Sequence, residues 1–350
     1  MGVAPVNFAI VGAGNIARLH VQAIEHIPDA RVAVICDVKE AQRCTLADSC
    51  GAEPVFDYET ALRRSDIDVV SVCTPSGAHG AIALAAARAG KHLLIEKPLE
   101  ITLPRIDQII AAACEAKVLL SCIFPYRFMS GVHKAKEALD AGRLGRLVMA
   151  DAYVKWYRSQ AYYDESWHGT WALDGGGALM NQSIHNIDLL QWLAGPIDTI
   201  FGRTATLSHE IETEDTASAV LAFRNGALGV IQGATSCWPG DRAKVELHGD
   251  RGTIVLEEGR IVTWKLMDAE PDEEERMLNL EESQTSGSQD PSGLDYEMHR
   301  RQIVDMVAAV QGNRPPMIDG AEARKAVEII HAVYASSKRG QPVALPFNQA

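Results

Sequence analysis

Ala9-Ile10-Val11-Gly12-Ala13-Gly14-Asn15-Ile16-Ala17 sets the fold class of this chain. The apolar run Phe8 to Val11 reads as a strand, stops at Gly-x-Gly-x-x-Ala, and gives way to a helix-like stretch. In that order the first glycine permits a tight turn and the second lets the backbone approach a pyrophosphate. The small third residue lets helix and strand pack closely, with the helix N-terminus facing negative charge. A second apolar run, Arg31 to Cys36, ends in Asp37, which lies 23 residues after Gly14. That is close to the roughly 20-residue offset of an acid that binds the adenosine ribose hydroxyls. A carboxylate there repels a 2′-phosphate, so the reading is NAD over NADP, with Lys39 close enough to soften the preference. The plainer alternative is a glycine turn in an ordinary βα unit.

The same rhythm continues through the first third. Residues 39–50 read as a helix, Ala52 to Phe56 as a short strand, and Glu59 to Arg64 as another helix. Asp68 to Cys73 is a continuous apolar run, as expected of a parallel strand covered on both faces, and it stops at Thr74-Pro75. The alanine-rich helix Ala81 to Ala89 closes at Gly90. His92 to Ile95 is the next strand, ending at Glu96-Lys97-Pro98, followed by a helix over Thr102 to Ala116 and a strand over Val118 to Ile123. Repeated strand–helix–strand units imply a doubly wound parallel sheet over residues 1–123.

Beyond about residue 124 the pattern changes. Val148 to Val154, Ala217 to Phe223, Ala227 to Gly233, Lys244 to His248 and Gly252 to Leu256 are strand-like. Arg224-Asn225-Gly226 and Gly249 to Gly252 read as hairpin turns. Residues 124–350 are therefore expected to form an α+β domain with a large, mostly antiparallel open sheet. Association of sheets between subunits would cover its second face, so an oligomer is expected. The acidic, Ser- and Gly-rich stretch 268–293, with Asp272-Glu273-Glu274-Glu275, reads as a solvated loop. Tyr296 to Gln311 and Gly320 to Lys338 read as closing helices.

A chain of 350 residues exceeds the usual single core, and 47% hydrophobic with 23% charged residues suits a soluble globular protein. The net charge of −13 argues against nucleic acid or an anionic membrane as main partner. Seven cysteines, with no Cys-x-x-Cys, read as unpaired thiols in a reducing cytoplasm. No basic region leads into an apolar run and cleavage site, and Phe8 to Val11 is too short to span a bilayer. A cytoplasmic enzyme is expected.

In open α/β sheets ligands bind beyond the carboxyl ends of the strands, where Gly12 to Asn15, Thr74-Pro75 and Glu96-Lys97-Pro98 all fall. Lys97 at a buried strand end suits proton exchange or alkoxide stabilisation, or else it contacts ribose or closes a turn. A second constellation is Asp174-Gly175-Gly176-Gly177 leading to Asn181, His185 and Asp188. The glycines would give a ligand close access to the backbone. Spacings of i, i+4 and i+7 would put the three polar residues on one helix face. His185 would take a hydroxyl proton and Asn181 would hold a neighbouring oxygen. Asp188 would orient the imidazole or satisfy nearby backbone. With no second histidine at ligand spacing, no metal is expected. Trp156, Tyr157 and Arg158, with Tyr162, Tyr163, Trp167, His168 and Trp171, read either as a sugar platform or as loop and interface packing. Arg158 would bind a substrate carboxylate or phosphate.

Gly12-x-Gly14, Cys73-Thr74-Pro75-x-x-x-His79, Ala89 to Pro98 and the Gly175 to Asp188 segment together resemble the Gfo/Idh/MocA oxidoreductase family. The resemblance runs over nearly the whole chain. It implies an N-terminal Rossmann domain, a C-terminal open-sheet domain, dimers or tetramers, and redox chemistry on secondary alcohols of sugars and cyclitols. It also implies that Lys97 is the catalytic lysine, that His185 is the general acid/base, and that Lys97-Pro98 is a cis bond. The cofactor-binding set is then Gly12, Gly14, Asn15, Ile16, Asp37, Thr74, Pro75, His79, Glu96 and Lys97. The substrate set is Lys97, Tyr157, Arg158, Trp171, Asn181 and His185. Inositol-dehydrogenase-like members carry Asp where this chain has Asn181, so the resemblance points to uronates or nucleotide-linked sugars over inositol. The rival readings are an NAD-dependent glycosidase using transient oxidation and a non-catalytic nucleotide sensor.

Overall fold

Six short strands, β1 (Val6–Val11), β2 (Ala30–Cys36), β3 (Glu53–Val55), β4 (Val69–Val72), β5 (His92–Ile95) and β6 (Leu120–Cys122), pair in parallel in the order β3-β2-β1-β4-β5-β6. All four residues of β4 are buried, which only a sheet covered on both faces permits. The crossovers supply that cover: α1 (Asn15–Glu25), α2 (Glu40–Cys50), α3 (Tyr58–Leu62), α4 (His79–Arg88) and α5 (Leu103–Ala116). Strand order reverses between β1 and β4, and that switch point is where such sheets open a crevice for a ligand.

The computed structural model describes residues 4–164, 166–280 and 295–347. It divides into two units, Met1–Pro125 with Asp295–Arg324, and Tyr126–Leu294 with Lys325–Ala350. The return of 295–324 to the first unit departs from the expected division into 1–123 and 124–350. The reason is apolar packing: Ile303, Met306 and Val307 join Phe8, Ile10, Val21 and Ile24 in one buried cluster. The Gln302 side chain, also buried, donates to the Cys122 carbonyl (2.7 Å) and accepts from Phe124 N (2.9 Å), tying this segment to the end of β6.

The second unit is built on an eight-stranded sheet of order β13-β12-β11-β7-β10-β9-β8-β14. Its strands are β7 (Leu147–Lys155), β8 (Ile197–Ala205), β9 (Thr216–Phe223), β10 (Leu228–Ala234), β11 (Lys244–Gly249), β12 (Gly252–Glu257), β13 (Arg260–Leu266) and β14 (Val343–Ala344). Every pairing is antiparallel except β7 with β10. The expected turn at Arg224-Asn225-Gly226 is present, with Gly226 at φ +88° and its N–H on the Phe223 carbonyl. The helices are α6 (Ser130–Asp140), α7 (Gln160–Tyr163), α8 (Ile184–Ala194) and α9 (Glu273–Leu278); α10 (Tyr296–Gly312) lies in the first unit, and α11 (Gly320–Arg339) runs from the first into the second. Helix α8 packs on β7 and β11. The other face shows Phe201, Val220, Leu228 and Met149, with Phe201 paired to Val220 and Leu228 to Met149 across neighbouring strands.

Strands β8 and β13 and helix α6 are absent from the sequence reading. The acidic stretch is corrected in part: residues 273–278 are helical, and Glu273 is buried, accepting from both Arg143 Nη atoms and from Trp264 Nε1 (3.0 Å). Those contacts hold its carboxyl down at about 2. Residues 281–293 of that stretch lie outside the described residues.

Candidate active site

The two glycines of the turn at the end of β1 differ in what surrounds them. Gly12 sits at φ +103°, and a Cβ there would lie 2.5 Å from the Cys73 carbonyl oxygen at the end of β4. A Cβ on Gly14 would meet nothing within 4 Å, because that position faces open space. Gly14 caps α1 without a side-chain hydrogen bond, and the first turn has no acidic residue. The first N–H groups of α1 and the positive end of its dipole are therefore not satisfied by a cap or neutralised by a carboxylate. The Asp37 carboxylate accepts from Ala13 N and from Lys39 N, both at 2.7 Å. It braces the glycine turn and keeps lone pairs for further donors. Thr74, at the end of β4, has a buried hydroxyl oxygen with no partner. An uncapped helix end, an acid beside it and an orphaned hydroxyl at the switch point fit a dinucleotide.

Two residues expected to bind the cofactor, Glu96 and His79, are held by protein partners. Glu96 is buried, its Oε1 meeting His20 Nε2 at 2.8 Å and His299 Nε2 at 3.5 Å, while Oε2 accepts from Lys97 N at 3.2 Å. Burial pushes against its charge, yet the hydrogen bonds from the two imidazoles prevail and hold it well below the usual glutamate range. Burial also lowers His20, whose Nδ1 meets the Ser71 hydroxyl at 2.8 Å. Glu96 therefore anchors the main chain of Lys97 from inside the protein. His79 is likewise buried, its ring nitrogens at 2.9 Å from the carbonyls of Thr74 and Pro98. It staples the ends of β4 and β5 together, and burial pushes its pKa down. Lys97 is half-buried at the end of β5, and its bond to Pro98 is cis, as the resemblance implied.

In the second unit, residues 174–188 depart from the expected regular helix. Ala178–Ser183 is a π-helical turn, and α-helix begins only at Ile184. The i, i+4 spacing of Asn181 and His185 thus no longer places them on one α-helical face. The glycine run is also reassigned: a Cβ on Gly176 would lie 2.2 Å from the Tyr334 hydroxyl, and one on Gly177 would lie 1.8 Å from the Glu214 carbonyl. These glycines admit protein neighbours. Asn181 Nδ2 donates to Asp174 Oδ1 (2.6 Å), and its Oδ1 accepts from Gln182 Nε2 (3.1 Å). His185 is half-buried against the Tyr126 ring, with centroids 5.1 Å apart. Asp188 is fully buried in a two-pronged pair with Arg127 (2.7 and 2.6 Å), so its main work is to neutralise that guanidinium under the helix. Arg127 also faces the Trp192 ring at 5.1 Å.

Arg158 is buried, its guanidinium 5.1 Å from the Trp156 ring and 5.7 Å from the Tyr162 ring. Its Nη2 donates to Gln182 Oε1 at 3.2 Å, and Gln182 Nε2 reaches Tyr162 Oη at 3.1 Å. A polar chain thus runs Arg158–Gln182–Asn181–Asp174. Tyr162 packs on Tyr163 and His168, and His168 stacks on Trp167 at 4.1 Å. Tyr157 is 37% exposed, and Trp171 is 47% exposed, its indole donating to the Glu212 carbonyl. Sequence reasoning misses Tyr126, Arg127, Gln182 and Glu214. Arg127 and Asp188 are 61 positions apart, and no local pattern links them. The adjacent acids Glu214-Asp215, just ahead of β9, are the one signal that stood in plain sight.

A parallel sheet with its glycine turn at the switch point and a lysine two strands over defines a nucleotide-dependent oxidoreductase of the Rossmann type. Residues 6–124 match the model of the oxidoreductase family with an NAD-binding Rossmann fold, and residues 132–255 match the GFO/IDH/MocA C-terminal domain. The chain belongs to the Gfo/Idh/MocA oxidoreductase family, and NAD is its cofactor. It is similar to the WlbA dehydrogenase of Bordetella pertussis, solved with NADH and UDP-GlcNAcA: 30% identity, TM-score 0.89, covering 99% of this chain and 100% of that one. The WlbA dehydrogenase of Chromobacterium violaceum, solved with the same ligands, is 31% identical with TM-score 0.89 over 100% and 98% of the two chains. Myo-inositol 2-dehydrogenase of Thermotoga maritima is 26% identical over 97% of this chain and 98% of its own length.

Proposed function

We propose that this protein catalyses the reversible, NAD-linked oxidation of a secondary hydroxyl on a sugar ring, with uronates or nucleotide-linked sugars as the substrate class. One observation carries the reading: the adjacent strands β1, β4 and β5 are followed within two residues by Gly12, Thr74 and Lys97, so the nucleotide features and the lysine lie at the carboxyl ends of neighbouring strands of one sheet. Asn181 in place of an aspartate, and the two similar structures solved with UDP-GlcNAcA, support the substrate class over free inositol.

When bound, NAD supplies the acceptor for the hydride. The uncapped turn of α1 holds the pyrophosphate, and Asp37 the adenosine ribose, which favours NAD over NADP. Lys97 donates to the substrate oxygen and stabilises the alkoxide as the carbon–hydrogen bond breaks. His185 receives the hydroxyl proton at a ring nitrogen and returns it in the reverse direction. Asn181 and Arg158 hold neighbouring oxygens or a carboxylate, with Tyr157 and Trp171 against the ring.

Lys97→Met is expected to keep NADH binding, read by cofactor fluorescence, and to lower kcat at least 100-fold with uronates, UDP-linked sugars and cyclitols as the panel. Unchanged turnover would remove Lys97 from the reaction. Turnover with no net NADH would favour the glycosidase reading.

The protein is further proposed to act in the cytoplasm, where its seven free thiols remain reduced; no helix among the described residues is long and apolar enough to cross a membrane. It is proposed to self-associate as a dimer or tetramer through the outer sheet face, where Val220 and Leu228 are 56% and 57% exposed. Val220→Lys is expected to shift the species seen by sedimentation toward monomer; an unchanged distribution would place the interface elsewhere.

A further inference from the structure

We propose that Glu214 and Asp215 are positioning residues of the reaction proposed above: two adjacent buried carboxylates that brace, respectively, the turn leading into His185 and the segment carrying Arg158. The inference deepens that functional reading and rests on it for the roles of His185 and Arg158, but its geometry stands alone.

Glu214 is 4% exposed. Its Oε2 accepts from Gly177 N (3.0 Å), and its Oε1 accepts from Leu179 N (2.9 Å) and from the Tyr334 hydroxyl (2.9 Å). Its main-chain carbonyl accepts from Ala178 N at 2.9 Å. Three consecutive N–H groups at the entrance to the π-helical turn are thus satisfied by one residue far away in sequence. Helix entrances usually find their acceptors in a local cap, and here no side-chain cap is present. Gly176 and Gly177 are side-chain-free because Tyr334 and Glu214 fill the space a Cβ would take. The entrance cannot slide without losing these bonds, and Asn181 and His185 follow directly from it.

Asp215 is fully buried. Its Oδ1 accepts from Leu207 N (2.9 Å), and its Oδ2 from Ser208 N (2.7 Å) and His209 N (3.0 Å). It thereby folds the 207–209 turn around itself. His209 passes the restraint on: Nδ1 lies 3.0 Å from Asp215 Oδ2, and Nε2 lies 2.8 Å from the Arg158 carbonyl. The two acids are consecutive and lie directly ahead of β9, so a single backbone placement fixes both braces. Ordinary stability does not call for two buried carboxylates side by side, since burying charge opposes folding unless every lone pair is used. Their use here is geometric, holding the proton acceptor and the anion holder in register.

The two braces predict different kinetic signatures. Glu214→Gln keeps the size but turns an amide N–H₂ toward one of three donors, so kcat is expected to fall at least 10-fold with KM for NAD unchanged. Asp215→Asn is expected to raise KM for the sugar at least 5-fold, with a smaller effect on kcat. Tyr334→Phe removes one donor of three and serves as the mild variant, with a kcat loss of about 2- to 5-fold. The substrate-independent readout is the ¹³Cε1 resonance of His185 in histidine-labelled protein, assigned with His185→Ala. It should move in Glu214→Gln and Tyr334→Phe while the His20 and His299 resonances stay in place. A His185 resonance unmoved in folded variants would overturn the proposal, as would kcat and KM losses that are equal in both acids and track the loss in Tm. Failure of wild-type turnover with every sugar would instead count against the proposed function and leave the resonance test to decide this one.

Discussion

At the residue scale, the structure separates side chains that the sequence sets side by side in one motif. Lys97 and Glu96 are neighbours in one motif, yet Lys97 is half-buried at the strand end while Glu96 lies buried between two histidines. The places of the glycine turn, of Asp37 beside it and of Lys97 at a strand end were legible, because each is a short-range pattern whose spacing mirrors a turn or a strand end. Asp188 was not, since its partner Arg127 lies on a distant segment and a helix position alone does not say what faces it. Glu96 carries a stability consequence. Its folded pKa lies below the unfolded value of 4.5, so its contribution is present above about pH 4.5 and is lost as pH falls through that range. Glu96→Gln is expected to destabilise the first unit by about 3 kcal/mol at neutral pH, because it breaks a buried charge cluster. Urea unfolding followed by tryptophan-independent circular dichroism would check it; an unchanged midpoint would show that the cluster contributes nothing net.

At the scale of elements, the alternating strands and helices of the first third were readable because parallel strands are continuous apolar runs and their helices are amphipathic. Strand β8 escaped because Ile197–Ala205 carries Asp198, Gly202 and Arg203 and alternates imperfectly. The π-helical turn at 178–183 escaped because the residue that accepts from the N–H groups at its entrance, Glu214, lies more than thirty positions away. Glu214 gives the element-scale prediction. Burial pushes its carboxyl up to about 7 against the pull of three donors. A folded pKa raised above 4.5 means the folded state holds the proton more tightly, so stability falls as pH rises from about 4.5 through 7. A shift of that size corresponds to about 3 kcal/mol across the window. Glu214→Gln is expected to flatten that slope while losing turnover. A slope identical to wild type would show that another group titrates there.

At the scale of the whole molecule, the chain leaves its first unit at residue 125 and returns to it at 295. No local signal marks that return; it follows from where the apolar face of α10 finds cover, and Ile303 is fully buried in the β1 cluster. Ile303→Ala is expected to destabilise the first unit by about 2–5 kcal/mol, the usual cost of a large-to-small change in a packed core. NADH protection of the unfolding transition should be retained; a loss below about 1 kcal/mol would contradict the shared core. The measurement that bears most closely on the chemistry is a single-turnover experiment. Enzyme loaded with NAD is mixed with excess UDP-linked uronate, and NADH appearance is followed in wild type, Lys97→Met and His185→Ala. NADH should form within one turnover in wild type and slow at least 100-fold in each variant, with NAD affinity within 3-fold of wild type. NADH forming at the wild-type rate in both variants would show that neither residue 97 nor residue 185 touches the reacting alcohol.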